Sequence, residues 1–147
     1  MSATPVRCVL DASVGIQLFV EEEFSAKVAD LFARLADESA AELHIPDLFY
    51  IECANILLKY TRRFGRPLED SQADLADLKA LALKPTSTAD LMEDALALAQ
   101  AKGLSACDAC YAVLAQKLEM PLVTADQQVV KAVDWAVWVG DFNIPVR

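Results

Sequence analysis

The chain has 147 residues, enough for one domain across residues 1–147 and too few for two separate cores. A hydrophobic share of 55% and a charged share of 24%, with only 4 Gly and 6 Pro, exclude a disordered, fibrous or low-complexity chain. The net charge of −9 argues against indiscriminate nucleic-acid binding, which needs a positive field. It still admits a nucleic-acid enzyme whose acids hold metal and whose cations are gathered in one place.

In chain order, Val6–Leu10 reads as a strand, and Ser13–Val20 and Ser25–Ser39 read as helices. Glu42–Ile45 is a short strand ended by Pro46. Asp47 is placed to cap a long helix running to Phe64, before Gly65. Leu68–Leu81, Thr88–Lys102 (closed by Gly103) and Ser105–Glu119 are further helices. Pro121–Thr124 is a buried strand, a short helix follows Asp126, and Ala136–Val139 is the last strand. Strands separated by helices need crossover connections, so the expected fold class is α/β: a three-layer α/β/α sandwich with a small parallel sheet.

The longest nearly apolar run, Leu48 to Leu58, contains Glu52 and Asn55 and is too short to span a bilayer. The N-terminal residues offer no apolar stretch before a small-residue cleavage site, so a cytoplasmic location is expected. Cys8, Cys53, Cys107 and Cys110 lie in apolar stretches and are expected as reduced core residues.

In parallel sheets, ligands collect at the carboxyl ends of the strands. Asp11 directly follows the first strand, and Asp126 follows Leu-Val-Thr-Ala; each could also merely cap the next helix. Glu52 lies in a helix that reads as buried nearly all round. At about 100° per residue, Leu48, Glu52, Asn55, Lys59 and Arg62 share one narrow stripe, and the last four make it the helix's one polar seam. A buried Glu is rare unless paired or bound to metal; a surface pair with Lys59 or an Arg is the plainer alternative. Asp108 forms a capping box with Ser105, yet a first-turn carboxylate can also face a site. Cys107, Cys110, Leu114 and Leu118 occupy another, apolar side of that helix.

Asp11, Glu52, Asp108 and Asp126 brought together would repel, and a hard divalent cation would relieve the repulsion. Mg²⁺ or Mn²⁺ held by these four could align a water for in-line attack on a phosphodiester. Ser13, Asn55 and Thr124 stand close enough in sequence or along the helix to orient carboxylates or waters. Lys59, Arg62, Arg63 and Arg66 fall within eight positions just beyond Glu52. They read either as a track for a phosphate backbone or as a solvated, cation-rich helix end.

These pieces resemble the PIN-domain ribonucleases, and among them the VapC-type toxins of prokaryotic toxin–antitoxin pairs. The pieces are Leu-Asp-Ala-Ser at Asp11, Glu52 with Asn55, Leu-Ser-Ala-Cys-Asp-Ala-Cys-Tyr around Asp108, and Leu-Val-Thr-Ala-Asp at Asp126. The resemblance implies a metal-dependent endoribonuclease with Asp11, Glu52, Asp108 and Asp126 around one or two Mg²⁺ or Mn²⁺ ions. It implies cleavage leaving a 5′-phosphate and a 3′-hydroxyl, and tRNA or rRNA as substrate. It also implies a homodimer and a cognate antitoxin that occupies the acidic groove. Some members carry a further acid just after the last Asp, where this chain has Gln127 and Gln128, which bears on the second metal.

Other readings are less complete. Cys107-x-x-Cys110 lacks a second such pair for zinc, and the only histidine, His44, stands apart. A haloacid-dehalogenase-type phosphatase needs Asp-x-Asp after the first strand, and Ser13 takes the third place. The alternatives that remain are another metal-dependent phosphoesterase, or a catalytically silent module whose acids bind a basic partner peptide.

Overall fold

The computed structural model describes residues 4–144. Five strands are formed: β1 (Arg7–Leu10), β2 (Glu42–Pro46), β3 (Lys84–Thr86), β4 (Leu122–Thr124) and β5 (Ala136–Trp138). All neighbours pair in parallel, in the order β3-β2-β1-β4-β5. The helices are α1 (Ala12–Gly15), α2 (Ser25–Asp37), α3 (Leu48–Phe64), α4 (Leu68–Ala80), α5 (Met92–Lys102), α6 (Ala106–Leu118) and α7 (Gln127–Ala132). In β1, Cys8, Val9 and Leu10 are all buried, so side chains pointing to both faces of the sheet are covered. That is the burial expected of the middle strand of an α/β/α sandwich.

β1 lies between β2 and β4. The chain steps outward from β1 through β2 to β3, then returns to place β4 on the other side of β1. The crevice at the carboxyl ends of β1 and β4 is therefore the topological switch point, where ligands bind in open parallel sheets.

Several expected elements change on folding. Ser13–Val20 divides into the single turn of α1 and a 3-10 turn at Ile16–Leu18. Thr88–Lys102 likewise opens with a 3-10 turn, Thr88–Leu91, before α5. β3 was not legible as a strand: it is three residues long and contains Pro85, which only an edge strand accommodates. Asp47 does not cap α3 through its side chain. Its Oδ1 instead accepts from the backbone N–H of Thr88 (2.9 Å) and from Thr88 Oγ1 (2.6 Å). Thr88 Oγ1 in turn accepts from the N–H of Leu48 at 3.0 Å, so a threonine distant in sequence caps the helix.

α3 is not buried nearly all round, as its composition had indicated. It buries Phe49, Cys53 and Leu57, while Ile51 is 62% and Phe64 69% exposed. The helix enclosed through its middle is α6, in which every residue from Ala109 to Ala115 is buried. Its alanines let α5 and the sheet approach closely from different sides. Cys8, Cys53 and Cys110 are buried as expected, and burial pushes the Cys8 thiol up to about 12. Cys107 is the correction: it is exposed, because the first turn of α6 projects beyond the core. Among the described residues, no helix is long and apolar enough to cross a membrane.

Candidate active site

Asp11, Glu52, Asp108 and Asp126 line one pocket of about 280 Å³, together with Ala12, Ser13, Asn55 and Ile56. Four separate elements supply the acids. Asp11 leaves the end of β1, where extended backbone (φ −74°, ψ 149°) precedes α1. Asp126 follows β4 and opens α7. Glu52 comes from the second turn of α3 and Asp108 from the first turn of α6.

Asp11 is only 8% exposed and is the most strongly constrained of the four. Its Oδ2 accepts from Thr124 Oγ1 at 2.7 Å and from Ser13 Oγ at 3.0 Å. Both hydroxyls also receive backbone bonds from the β4–α7 connection. The N–H of Ala125 donates to Ser13 Oγ (3.1 Å) and that of Asp126 to Thr124 Oγ1 (3.1 Å). The connections after β1 and β4 are thereby locked to each other through Asp11.

Asp126 caps α7, and Ser105 caps α6 at Asp108. Asp126 Oδ1 accepts from the N–H of Gln128 at 2.9 Å, and Ser105 Oγ accepts from the N–H of Asp108 at 3.1 Å. Capping has not turned either carboxylate out of the pocket. Glu52 is half-buried and, among the described residues, makes no ion pair with Lys59 or an arginine. Its Oε1 accepts from the hydroxyl of Tyr111 at 2.6 Å. Tyr111 was missed in the sequence, where it reads as core. The available signal was its place three residues after Asp108, on a neighbouring side of the same helix.

The electrostatics tie the acids into one group. Burial raises the carboxyl of Asp11, against the lowering effect of the two hydroxyls, and the charge of Asp108 raises it further. Burial also raises Glu52; the Tyr111 hydroxyl opposes this, and Asp11 and Asp108 add to it. Asp108 is raised by burial and by the charge of Asp126, with Ser105 opposing. Desolvation and mutual repulsion both disfavour the all-ionised state.

The basic cluster is less uniform than the sequence suggested. Lys59, Arg62 and Arg63 are exposed, whereas Arg66 is partly buried and ion-paired with Asp74 of α4. Because α3 is continuous through Phe64, Lys59 and Arg63 lie within about 20° of Glu52 around its axis, and Arg62 lies about 80° away. Asn55, the other polar member of the seam, lines the pocket beside Glu52. A larger cavity of about 540 Å³, lined by Asp47, Tyr50, Ile51, Ala54, Leu75 and Lys79, sits between α3 and α4 and gathers no comparable set of acids.

The PIN domain family model matches residues 8–135. The chain is 39% identical over 128 residues to Ribonuclease VapC3 of Pyrobaculum aerophilum, covering 84% of this chain and 92% of that protein. Its fold is similar to the crystal structure of PAE2754 from Pyrobaculum aerophilum, with a TM-score of 0.69, 26% identity and 93% of each chain covered. It is also similar in fold to a chain of a toxin–antitoxin complex from Klebsiella pneumoniae, with a TM-score of 0.63, 18% identity, and 90% of this chain and 97% of that one covered. With the family model spanning all four acids, the chain belongs to the PIN-domain family, in the group of the VapC ribonucleases.

Proposed function

We propose that this chain, as one domain, is a divalent-metal-dependent endoribonuclease and the toxin of a toxin–antitoxin pair. Asp11, Glu52, Asp108 and Asp126 are its catalytic and metal-holding residues. The observation that carries this reading is the convergence of four carboxylates on one pocket at the switch point, three of them raised by burial and repulsion. The name Ribonuclease VapC3, borne by a relative 39% identical, supports the substrate class.

The donor set fits Mg²⁺ or Mn²⁺, since it consists of hard carboxylate oxygens whose repulsion a cation removes. Among the described residues, no three His, Cys, Asp or Glu side chains form a ready-made metal cluster. Mg²⁺ prefers a few carboxylate oxygens completed by waters to an all-protein cage. Held by these residues, the ion would supply Lewis acidity and a water of lowered pKa for attack at phosphorus. The chain's own residues do the rest. Ser13 and Thr124 hold Asp11 in one rotamer and fix the loop that carries Asp126. Asn55 lines the approach to Glu52, and Lys59, Arg62 and Arg63 take the RNA phosphates. Arg66 contributes through its bridge to Asp74, which braces the end of α3 against α4.

The partners in this reading are an RNA substrate (tRNA or rRNA), a cognate antitoxin that covers the acidic pocket, and a second copy of the chain, all in the cytoplasm. The exposed apolar side chains of Ile51, Phe64 and Leu68 on α3 and α4 support a partnered surface.

Cleavage of total cellular RNA by the purified protein with Mn²⁺ or Mg²⁺, against EDTA and against Asp108→Asn, tests the reading. Discrete fragments are expected, lost in EDTA and reduced at least about 100-fold in the variant, whose circular dichroism stays native. Equal cleavage by Asp108→Asn would assign the activity to a contaminant or another site.

A further inference from the structure

Tyr111 has no part in the reading above, yet its hydroxyl is bonded to one of the four acids. The ring is among the largest fully buried side chains, 1% exposed, within the enclosed stretch of α6. Its hydroxyl donates to Glu52 Oε1 at 2.6 Å, across the gap between α6 and α3. The other three acids are each steadied within the loops and helix starts that carry them: Asp11 by Ser13 and Thr124, Asp126 by the N–H of Gln128, and Asp108 by Ser105. Glu52 stands mid-helix, where no backbone N–H is available to it, on a side chain with three rotatable bonds. The Tyr111 hydroxyl is the donor the structure gives it.

We infer that Tyr111 is a positioning residue: its buried hydroxyl fixes one oxygen of Glu52 and thereby directs the other toward the metal and the scissile phosphate. This rests on the metal-nuclease reading of the pocket. The ring is held rigidly by the core, so the hydroxyl is a fixed point, and it sets the spacing of Glu52 from Asp108 one turn away on the same helix. Donors that orient a metal-holding carboxylate typically affect metal affinity or activity by about 10–100-fold.

The test is Mn²⁺ titration calorimetry without RNA, beside cleavage kinetics, on wild type, Tyr111→Phe, Glu52→Gln and the double variant. Phe keeps the ring and its packing and removes only the hydroxyl. Tyr111→Phe is expected to weaken Mn²⁺ binding about tenfold and to lower kcat with KM for RNA nearly unchanged. Adding Tyr111→Phe to Glu52→Gln should cost little more, because the hydroxyl acts through that carboxylate. Unchanged Mn²⁺ affinity in Tyr111→Phe beside weakened affinity in Glu52→Gln overturns the positioning role and leaves the metal site standing. A loss of melting temperature in Tyr111→Phe with normal Mn²⁺ affinity overturns it too, as a purely structural role. Absence of Mn²⁺ binding in wild type overturns the metal-nuclease reading itself, and this inference with it.

Discussion

Asp11 accepts two hydroxyl hydrogen bonds and is still raised by its burial, which shows how much desolvation this pocket imposes. Sequence position alone marked Asp11 and Asp126 as strand-end residues, and both capping and site roles were open. The structure gives Asp126 a capping hydrogen bond and Asp11 none, and both side chains line the same pocket, so capping at Asp126 does not remove it from the crevice. Glu52 was legible for a different reason, as a carboxylate in an apolar helix. Its partner was not, because a tyrosine in an alanine-rich stretch looks the same whether its hydroxyl meets water or a carboxylate. Among the cations, Arg63 lies closest in line with Glu52 beyond Lys59, and Arg66 is engaged by Asp74. Charge reversal at Arg63 (Arg63→Glu) is expected to weaken RNA binding several-fold and to flatten its salt dependence, measured by filter binding from 50 to 200 mM salt. Arg66→Glu should instead lower thermal stability through the lost bridge to Asp74. Unchanged affinity and slope in Arg63→Glu would remove the phosphate track.

The short first helix owes its position to a glycine. At Gly15 a Cβ would stand 2.7 Å from the ring of Phe49, itself fully buried in the first turn of α3. The close approach of α1 to α3 brings Asp11 and Glu52 to one pocket. Gly15→Ala must push the ring or the helix away, and a destabilisation of about 1–3 kcal/mol is expected from overpacking. Differential scanning calorimetry checks this, and an unchanged melting temperature would show that Phe49 has room to move. Element ends that depend on local chemistry were readable, such as Gly65 and Gly103 in left-handed conformations closing α3 and α5. The burial of whole elements was not. α3 has the more hydrophobic appearance but turns Ile51 and Phe64 outward, while α6 is enclosed because its small residues fit between α5 and the sheet. Apolar content states what a helix can bury, whereas its neighbours determine which faces are covered.

Across the whole molecule, two sets of carboxyl groups push stability in opposite directions with pH. Asp11, Glu52 and Asp108 have raised folded values, so the folded state binds more protons than the unfolded one above the ordinary carboxylate range. Stability from this group therefore falls as pH rises through that window. Glu42 is the reverse: His44, Arg7 and Lys84 hold its carboxyl down to about 2, so its contribution is present above the ordinary range and is lost as pH falls below it. In EDTA the melting temperature is expected to rise by a few degrees from pH 7 to pH 5, and Mn²⁺ should raise it more at pH 7 than at pH 5. Scanning calorimetry of wild type and Asp11→Asn checks this, the variant being expected to show a shallower rise. The sequence by itself determined the α/β class, the order of the main strands and helices, and the identity of the four acids. Those follow from local periodicity, from turn chemistry and from the rarity of carboxylates in apolar surroundings. Only the tertiary structure decided that β3 completes the sheet, that Thr88 caps α3, that Arg66 serves Asp74, and that Tyr111 meets Glu52. Each of these joins residues 8 to 59 positions apart, a separation over which neither propensity nor spacing carries information.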